Sequence, residues 1–583
     1  MRIRSGLAIA TLVIWFSTAP TQGQQFFEDV TPDWFAIAPG PQRSVSAADI
    51  DNDGWPDLFT SVNWEGPVYL WRNDAGQRWR VEADVPDKPW LFNGGGAVFG
   101  DYDNDGDVDL FVPLGMFCKE AAHRNMLWRN DRGVFYDVAL EAGLDDELAT
   151  DNAVWLDANG DGHLDLYTGN LGNACLGGEG DLGVNNRLYL ANGDGTFHDA
   201  TSTSGLDYQI GTGESDPGGS NGGMVARDFT GNGWPDLLVT AFLDPNRLFL
   251  NDQGSFSEHV SAEINDPGQA FGIAVADFDG DADLDLFTGS GGSAGGTAYR
   301  SQYLINLGNG RFVDALESVG LRKMADVNVL GVGAGDVDND GDVDLFVAEP
   351  HTLYRNDGAG TFTDVTDQSG VTRPVKTSLS FADYNLDGRL DVVAGSVVDG
   401  TFGGIFLNST AGSGHWLGVE LVGVTSNRSA IGAQLLAIFG QRRLLHEISG
   451  GSGFNQDDLV AHFGLGDQTQ LDSLVIRWPS GRTETLTAIA ADQRVRIIEG
   501  RGVAYPKRPS VFVEQVSAVK AGESVEIAAR VRPALFEPEA TVTGVTADLT
   551  SLGGPAATPL VALGDGSYQL EASFSGNPDV GVG

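Results

Sequence analysis

Aspartates recur in this chain at positions 1, 3, 5 and 9 of the pattern D-x-D-x-D-G-x-x-D-L. The clearest copies begin at Asp49, Asp101 and Asp336. Carboxylates at this spacing, with a glycine at position 6 that turns the chain sharply, supply the oxygen ligands that a hard cation such as Ca²⁺ prefers. One copy could arise by chance in an acidic chain. Seven copies, each followed by β-like sequence, predict an architecture and a cofactor together.

The predicted calcium ligands are the side chains at positions 1, 3, 5 and 9 and the main-chain carbonyl at position 7. We expect Ca²⁺ in five to seven of the loops. The predicted ligands are, loop by loop, Asp49, Asp51, Asp53, Trp55 and Asp57; Asp101, Asp103, Asp105, Asp107 and Asp109; Asp157, Asn159, Asp161, His163 and Asp165; Asp228, Thr230, Asn232 and Asp236; Asp277, Asp279, Asp281, Asp283 and Asp285; Asp336, Asp338, Asp340, Asp342 and Asp344; Asp383, Asn385, Asp387, Arg389 and Asp391.

Two loops depart from the pattern. The loop at Asp228 has Thr230 and Asn232 where acids are expected, so we predict that it is the weakest site. The loop at Asp277 has Ala282 in place of the turning glycine. Other cation motifs fit less well, because an EF-hand needs flanking helices and a glutamate at position 12, and Mg²⁺ prefers fewer protein ligands and more water.

The elements that position these loops repeat with the same period. The loops begin about 56 residues apart, a spacing typical of propellers and solenoids. Each loop lies between two short β-type stretches, and a third strand such as 125–130 follows. A Gly/Asn/Asp turn then leads to a fourth strand such as 362–366, and turn residues between apolar runs predict hairpins. Four antiparallel strands per repeat make one propeller blade.

The count of fourth strands predicts how the repeat closes. The seventh repeat ends at its third strand, 404–408, and no fourth strand follows it. The matching sequence stands at the other end of the chain, since Phe27–Thr31 resembles 362–366. We therefore expect the N-terminal strand to complete the seventh blade, which removes exposed sheet edges. A closed seven-bladed propeller is favoured over an open solenoid.

Composition excludes some classes of partner. The 583 residues include 81 acidic and 35 basic residues, a net charge of −46, which would repel nucleic acid and anionic membranes. At 41% hydrophobic residues, the chain is too apolar for a disordered acidic tail. Its 80 glycines fit a fold with many tight turns. We expect a monomer.

The N-terminus has the pattern of a secretory signal. Arg2 and Arg4 precede a short apolar run at 7–16, and small residues stand before Gln24. A buried strand is the alternative. We expect residues 1–23 to be removed, no later transmembrane segment, and a secreted protein located outside the cell or in the periplasm. Export permits a disulfide between Cys118 and Cys175, which lie in equivalent insertions, although free thiols remain an alternative.

The period stops after residue 410. We predict a seven-bladed propeller at 24–410, a small β-sandwich at 411–502, and a linker with a β-rich, immunoglobulin-like module at 503–583. The module ends without a recognisable strand pair, so we expect that it is truncated. The fold class is therefore all-β.

Specific sequences carry a family resemblance. The acidic loops resemble FG-GAP (VCBS) repeats, and 411–500 resembles the ASPIC/UnbV domain at 427–428, 431–432, 462–466 and 478–481. Together they resemble the cartilage acidic protein family. The resemblance implies a secreted calcium-binding propeller packed on a transthyretin-like sandwich, with no established catalysis. Bacterial relatives also lie in enediyne biosynthesis clusters, which makes an accessory role in secondary metabolism one alternative.

No constellation predicts an enzyme convincingly. Two G-x-S-x-G matches, at 218–222 and 291–295, precede no helix, as a nucleophile elbow would require. His446 beside Glu447, and His462 near Asp457 and Asp458, could form an acid–base set, but we expect surface or turn residues. Four tryptophans of the repeats could stack on sugars, but we expect them to pack between blades; they are Trp55, Trp71, Trp155 and Trp234.

We therefore expect an extracellular binding or adhesion protein in which calcium is structural. The ligand would be an extracellular protein or polysaccharide. Insertions at 113–124, 170–185 and 207–222 are the expected recognition loops, because loops on rigid scaffolds carry binding. The rival hypothesis is a secreted enzyme that acts on glycans in the central funnel of the propeller.

Overall fold

The structure is a computed structural model of the chain. The predicted signal peptide, both cysteines and most of the three insertions lie outside the residues that it describes. Those residues are 25–35, 42–62, 65–82, 90–92, 95–114, 124–144, 148–171, 186–208, 220–264, 267–290, 293–294, 297–298, 300–373, 375–396, 402–410, 412–504, 510–515, 524–532, 546–547, 558–559, 561–562 and 567–573.

The acidic repeats form seven four-stranded antiparallel units, each called a sheet here and numbered by its loop. Pairing of Asp236–Pro245 with Pro267–Ala276 joins sheets 4 and 5, and Asn455–Gln456 adds a parallel strand to sheet 1. Sheet 1 contains Gln42–Ala48, Asp57–Val62, Tyr69–Asn73 and Trp79–Val81; sheet 2, Val98–Gly100, Asp109–Val112, Met126–Asp131 and Val134–Asp137; sheet 3, Ala149–Leu156, Asp165–Leu171, Arg187–Ala191 and Phe197–Asp199; sheet 4, Ser220–Arg227, Asp236–Pro245, Arg247–Asp252 and Ser255–His259; sheet 5, Pro267–Ala276, Asp285–Ser290, Gln302–Asn306 and Phe312–Asp314; sheet 6, Val332–Gly335, Asp344–Val347, Thr352–Asn356 and Phe362–Asp364; sheet 7, Leu379–Ala382, Asp391–Ala394, Gly404–Asn408 and Phe27–Asp29.

Short elements lie between these sheets. Small hairpins pair Glu65–Pro67 with Trp90–Phe92 and Ser293–Ala294 with Thr297–Ala298. One-turn helices, which the strand pattern did not predict, follow several fourth strands; they are Thr31–Trp34, Ala139–Ala142, Thr201–Ser204, Arg322–Asp326 and Thr366–Gln368. No helix in the described part of the chain has the length and apolar character needed to cross a bilayer.

Burial on both faces explains why the sequences of these strands are short apolar runs. The second strands Asp109–Val112 and Asp344–Val347 are buried at every residue, which is typical of strands covered on both faces. The outer strand Val134–Asp137 buries only Phe135. First strands are rich in small residues because neighbouring sheets come close to them. A side chain at Gly100 would lie 2.9 Å from atoms of sheet 3.

The N-terminal strand completes sheet 7, as predicted. Phe27 pairs with Asn408 and Asp29 with Phe406, in antiparallel register. The strand is shorter than the predicted Phe27–Thr31, because Thr31 begins a helical turn that has proline at its second residue. Proline lacks the N–H that strand pairing would use but suits the first turn of a helix.

Contacts between sheets follow a cyclic order. The amide of Asn73, at the end of a third strand, donates to the carbonyl of Tyr384 in sheet 7 at 2.9 Å. Asn130 donates in the same way to Ile50 of sheet 1 at 2.8 Å. The equivalent donors in sheets 4 to 7 are Asn251, Asn306, Asn356 and Asn408. In sheet 3, Ala191 stands where the other sheets have this asparagine. Sheet 3 contacts sheet 2 through its acidic loop, where Gly162 accepts from Asn104. These contacts support the predicted seven-bladed ring.

Residues 415–504 form a sandwich of two four-stranded sheets. Trp478, with 1% of its surface exposed, lies in the core between them. The last strand ends at residue 504, two residues beyond the predicted boundary. One sheet contains Val460–Gly466, His415–Val422, Gln493–Ile498 and Gly502–Ala504, and the other contains Arg442–Glu447, Gln434–Phe439, Gln470–Arg477 and Thr483–Ala490.

The C-terminal part is also β-structured where it is described. One antiparallel sheet contains Ser510–Gln515, Ser524–Arg532, Ser567–Ser573 and Val561–Ala562, in that order. A second pairing joins Thr546–Ala547 to Thr558–Pro559. These strands agree with a β-rich module.

Candidate metal centre

The first aspartate of each loop is held by the main chain of its own loop. One carboxylate oxygen of Asp49 accepts the N–H of Asp53 at 2.9 Å, and the other accepts the N–H of Gly54 at 2.7 Å. Five other loops repeat this pair of bonds. The loop at Asp277 keeps the bond from position 6. Gly54 has a φ of +91°, a conformation that glycine adopts without steric cost.

The ninth aspartate joins each loop to the third strand of its sheet. Asp57 accepts the N–H of Asn73 at 2.7 Å and that of Ile50 at 3.1 Å, with 1% of its surface exposed. Five other loops repeat this arrangement. In the loop at Asp228, the second donor to Asp236 is Thr230, one residue further on. The first and ninth aspartates therefore shape the loop.

Four loops bring three carboxylates together. One oxygen of each member lies within 4.8 Å of the others, which is the spacing that a shared cation requires; the sets are Asp49, Asp51 and Asp53; Asp101, Asp103 and Asp109; Asp277, Asp279 and Asp281; and Asp336, Asp338 and Asp344. The loops of sheets 3 and 7 replace one carboxylate by Asn159 or Asn385. The amide oxygens of these residues accept the N–H of position 5 at 3.0 and 3.1 Å.

Two loop carboxylates have a buried oxygen that no hydrogen-bond donor reaches, as expected where a cation binds. Within the described residues, Oδ1 of Asp277 and Oδ1 of Asp338 are buried and have no hydrogen-bond partner. A buried acceptor left in this way costs free energy unless a donor or a cation meets it. Both atoms belong to predicted ligands in three-carboxylate sets. The donor set is all oxygen, so the residues fit a hard cation such as Ca²⁺.

Burial and mutual repulsion raise the pKa values of the loop carboxylates. Burial, reinforced by neighbouring carboxylates, raises the pKa of Asp101 and Asp277 to about 7 and that of Asp285 to about 8. Burial and the same kind of repulsion raise the pKa of Asp336 and Asp344 well above the ordinary value. A bound cation would favour the ionised forms, because opposite charge lowers a carboxyl pKa.

Arginines from the third strands contact two of the most acidic loops. Arg72 lies 2.6 Å from Asp51. Arg355 lies 2.5 Å from Asp338 and 2.7 Å from Asp340. Sequence analysis did not assign these arginines a role. Their common place beside the last asparagine of the third strand is the signal that could have found them.

Asparagines at position 4 connect neighbouring loops. The amide of Asn52 donates to the carbonyl of Gly106 at 3.1 Å, and Asn104 donates to Gly162 at the same distance. Asn339 donates to Gly388 at 2.8 Å. Asn52, Asn104 and Asn339 have φ values of +59°, +61° and +57°, which asparagine tolerates better than most residues. This recurring asparagine was visible in the sequence, but its partner lies in the next repeat.

The loop at Asp228 differs from the others. Its first carboxylate accepts the N–H of Asn232 at 2.9 Å and lies 3.6 Å from Arg477 of the sandwich. The side chain of Thr230 donates to the same carboxylate at 3.3 Å. Protein groups thus satisfy this loop, and it contains only two aspartates. The predicted weak affinity of this loop for calcium stays a prediction, supported by these contacts.

The sandwich covers the face that carries the loops. Contacts reach all seven: Arg494 donates to Gly54, Ser429 accepts from Asp101, Gly162 adjoins Thr425, Arg477 donates to Gly231, Leu445 donates to Asp277, Arg442 pairs with Asp342, and Trp416 adjoins Gly388. The loops therefore lie between two domains. Any cation that orders them would also order this interface.

One segment of the sandwich, residues 449–458, lies against the first strands at the centre of the ring; it is called the channel segment here. It contacts the first strands of six sheets through Gln456 with Phe99, Gly450 with Trp155, Gly453 with Met224, Ser452 with Ile273, Asn455 with Val45, and Gln456 with Ser380. Its glycines are needed for space, because a side chain at Gly450 would lie 2.0 Å from the carbonyl oxygen of Trp155. Sequence analysis interpreted these glycines only as turns.

The structure corrects the expectation for two histidines. His446 and His462 are not surface or turn residues, since they lie on strands of the sandwich that face the propeller. Burial lowers the pKa of His446 to about 4 and that of His462 to about 3. Two of the tryptophans, Trp71 and Trp155, are fully buried between sheets, as packing predicts.

The chain matches two families over the parts described above. FG-GAP-like repeats match residues 49–112, 228–288 and 336–394, and the ASPIC and UnbV family matches 423–504. The chain is therefore an all-β protein with FG-GAP-like repeats and an ASPIC/UnbV domain.

Relatives extend this similarity along most of the chain. Cartilage acidic protein 1 of Xenopus tropicalis is 24% identical over 540 residues, covering 79% of this chain and 73% of that protein. The Homo sapiens protein of the same name is 23% identical over 581 residues, covering 85% and 78%. The predicted family resemblance is confirmed. Among solved structures, YCF48 from Cyanidioschyzon merolae aligns with a TM-score of 0.40 at 14% identity, covering 65% of this chain and 98% of that one.

Proposed function

We propose that the chain is an extracellular calcium-binding protein that acts as a binding or adhesion module. The observation that carries the proposal is the position of the loops, because seven acidic loops contact one sandwich and four of them gather three carboxylates. Calcium would neutralise these carboxylates and hold propeller and sandwich together. The similarity to cartilage acidic protein 1 supports an extracellular location.

Ligand recognition belongs, in this proposal, to the face opposite the sandwich. Each first strand runs toward its acidic loop, and each second strand runs away from it in antiparallel register. The described residues before the insertions at 113–124 and 170–185 therefore lead away from the covered face. We propose a protein or polysaccharide ligand there, because loops on a rigid scaffold are suited to recognition.

Calcium dependence tests the metal part of the proposal. Melting of the full chain should rise strongly with added calcium and fall in excess chelator, because each site filled at a hundred times its Kd contributes about 2.7 kcal/mol. Titration calorimetry should count five to seven ions. A melting temperature that is unchanged by excess chelator would rule out structural calcium.

Ligand binding is tested separately. The calcium-loaded chain should bind members of a glycan array or of a panel of immobilised extracellular matrix proteins without changing them. Analysis of the glycans after incubation checks for cleavage. Turnover of any glycan would favour the rival hypothesis of a secreted enzyme. The channel segment occupies part of the central space where the active site of that rival was expected.

A further inference from the structure

A cavity of about 440 Å³ lies between the sandwich and the first strands of sheets 5, 6 and 7. Its walls are largely apolar and include Ile273, Val332, Phe381 and Leu445. Small-molecule sites have volumes of about 300–1,000 Å³ and are common at boundaries between domains. Size and place therefore suit a small organic ligand.

One side of the cavity reaches the surface. Asp492 lines it and is exposed, and Trp416 lines it and is half-buried. The ring of Trp416 stacks on His462 with centroids 6.0 Å apart and planes at 6°. An indole at an entrance favours positively charged molecules, since cations are attracted to the ring face. The carboxylate of Asp492 is bonded to His415 at 2.7 Å.

At the end of the cavity away from the surface, one carboxylate oxygen has no hydrogen-bond donor. Asp457 accepts the N–H of Phe381 at 2.7 Å through Oδ1. Within the described residues, its other oxygen has no hydrogen-bond donor, and Asp457 lines the cavity. Glu447 also lines the cavity, but its carboxylate accepts from Gln434 at 2.9 Å and from the N–H of Asp228. Asp457 is therefore the group that lacks a partner.

Charged groups of both signs surround this end. Arg227 is buried, and it attracts Glu447 and Asp457 without a close ion pair to either. Arg494 lies 4.0 Å from Asp458. Burial raises the pKa of Glu447 to about 8 and that of Asp457 to about 7, so Glu447 is largely protonated near pH 7, and a cation beside Asp457 would favour the ionised form of that carboxyl.

The histidines of the cavity add no positive charge near pH 7. Burial, with Arg227 nearby, holds the pKa of His446 at about 4, and burial beside His446 holds that of His462 at about 3. Both rings are neutral near pH 7. The side chain of His462 is bonded to Asn339 at 2.8 Å, whereas His446 packs against Phe463.

We propose that this cavity binds a small organic cation, an amine whose ammonium group lies beside Asp457 and whose apolar body lies along Phe381 and Val332. A metal ion fits less well, because among the described residues the groups that bring three ligand atoms within 4.8 Å all lie in the acidic loops. The net charge of −46 would raise the local concentration of such a cation.

Three probes of similar shape test the proposal. Titration calorimetry of the calcium-saturated full chain would use 2-phenylethylamine, 2-phenylethanol and 3-phenylpropionate at physiological ionic strength. We expect the amine to bind at one site, the alcohol to bind at least tenfold more weakly, and the carboxylate not to bind. Saturating calcium keeps the amine from competing for the loops.

Matched variants locate the binding. Asp457→Asn keeps the oxygen that accepts from Phe381 but removes the charge, and should weaken amine binding at least tenfold. Asp467→Asn makes the same change on an exposed turn of the sandwich and should have no effect. Ala334→Leu, which fills the cavity from sheet 6, should abolish binding and serves if Asp457→Asn does not fold.

Several results would overturn the proposal. These are no amine binding, equal binding of the amine and the alcohol, or amine binding that both cavity variants leave unchanged. The last result would place the amine on the acidic surface.

Discussion

The loops at Asp336 and Asp228 share the same main-chain hydrogen bonds but differ in the number of carboxylates that they bring together. In both, the first aspartate accepts the N–H groups of positions 5 and 6, and the ninth aspartate accepts from the third strand. The loop at Asp336 contains four aspartates at the side-chain ligand positions 1, 3, 5 and 9, and one buried oxygen of Asp338 has no partner. The loop at Asp228 contains two, and Arg477 lies beside it.

This difference separates folding from metal binding. Positions 1, 6 and 9 build the loop, since the loop at Asp228 keeps its shape with Thr230 and Asn232 at positions 3 and 5. Acids at positions 3 and 5 instead raise the local negative charge, and Asp338 has a pKa raised to about 6 by burial and by Asp340. We expect these two positions to decide whether a loop binds calcium.

The largest effect is expected from removing an acid at position 3. Asp338→Asn should lose one bound calcium ion and about 2.7 kcal/mol of stability in calcium at a hundred times the Kd of the site. In chelator the variant should be as stable as the parent or slightly more so, because a buried, repelled charge is gone. Ion counting and calorimetric melting measure both effects.

The control for this change is Asp252→Asn, at an exposed position on the third strand of sheet 4. It should leave both the ion count and the melting temperature unchanged. Equal calcium counts for Asp338→Asn and the parent would show that position 3 does not decide binding.

Adding acids at positions 3 and 5 should turn the loop at Asp228 into a calcium site. The double variant Thr230→Asp/Asn232→Asp gives the loop at Asp228 the acids that its counterpart has, and we expect one additional calcium ion. Without calcium, the added repulsion should lower the melting temperature. An unchanged count would mean that Arg477, 3.6 Å from Asp228, takes the place of the cation.

A smaller effect is expected from the arginine that faces the acidic loop. Arg355→Leu removes the positive charge beside Asp338 and Asp340. Leucine is the residue that sheet 4 has at the equivalent place, Leu250. Calcium affinity of this loop should rise by up to about fivefold, because a competing cation is lost and surface pairs of this kind contribute up to about 1 kcal/mol. Calcium titration measures it.

Arg247→Leu is the matched control, since Arg247 lies on the third strand of sheet 4 but pairs with Glu258 and no loop acid. Its calcium titration should match that of the parent. A fall in affinity in Arg355→Leu would instead show that Arg355 positions the ligands.

The features predicted from sequence are local or periodic. The aspartate spacing identified every loop, and the unmatched strand Phe27–Asp29 was found by counting strands, because a missing member of a repeat is visible without coordinates. The channel segment could not be predicted in this way. Its Gln456 bonds to Phe99, 357 residues away, and nothing near either residue signals the other. Asn104 was missed because its partner, Gly162, lies in the next repeat. Arg355 pairs with acids of its own repeat and was missed although its place before the last asparagine of the third strand recurs.

The smallest effect is expected at the loop that lacks the turning glycine. Ala282 has a φ of +73°, where a side chain is strained, so Ala282→Gly should relieve strain of about 1 kcal/mol. Part of this gain is offset by the greater freedom of glycine in the unfolded chain, leaving about 0.5 kcal/mol of stabilisation. The reverse change, Gly341→Ala in the loop at Asp336, should destabilise, because Gly341 has a φ of +93°, where a side chain is strained. Urea unfolding in saturating calcium measures both. A loss of stability in Ala282→Gly would show that the loop at Asp277 is adapted to alanine.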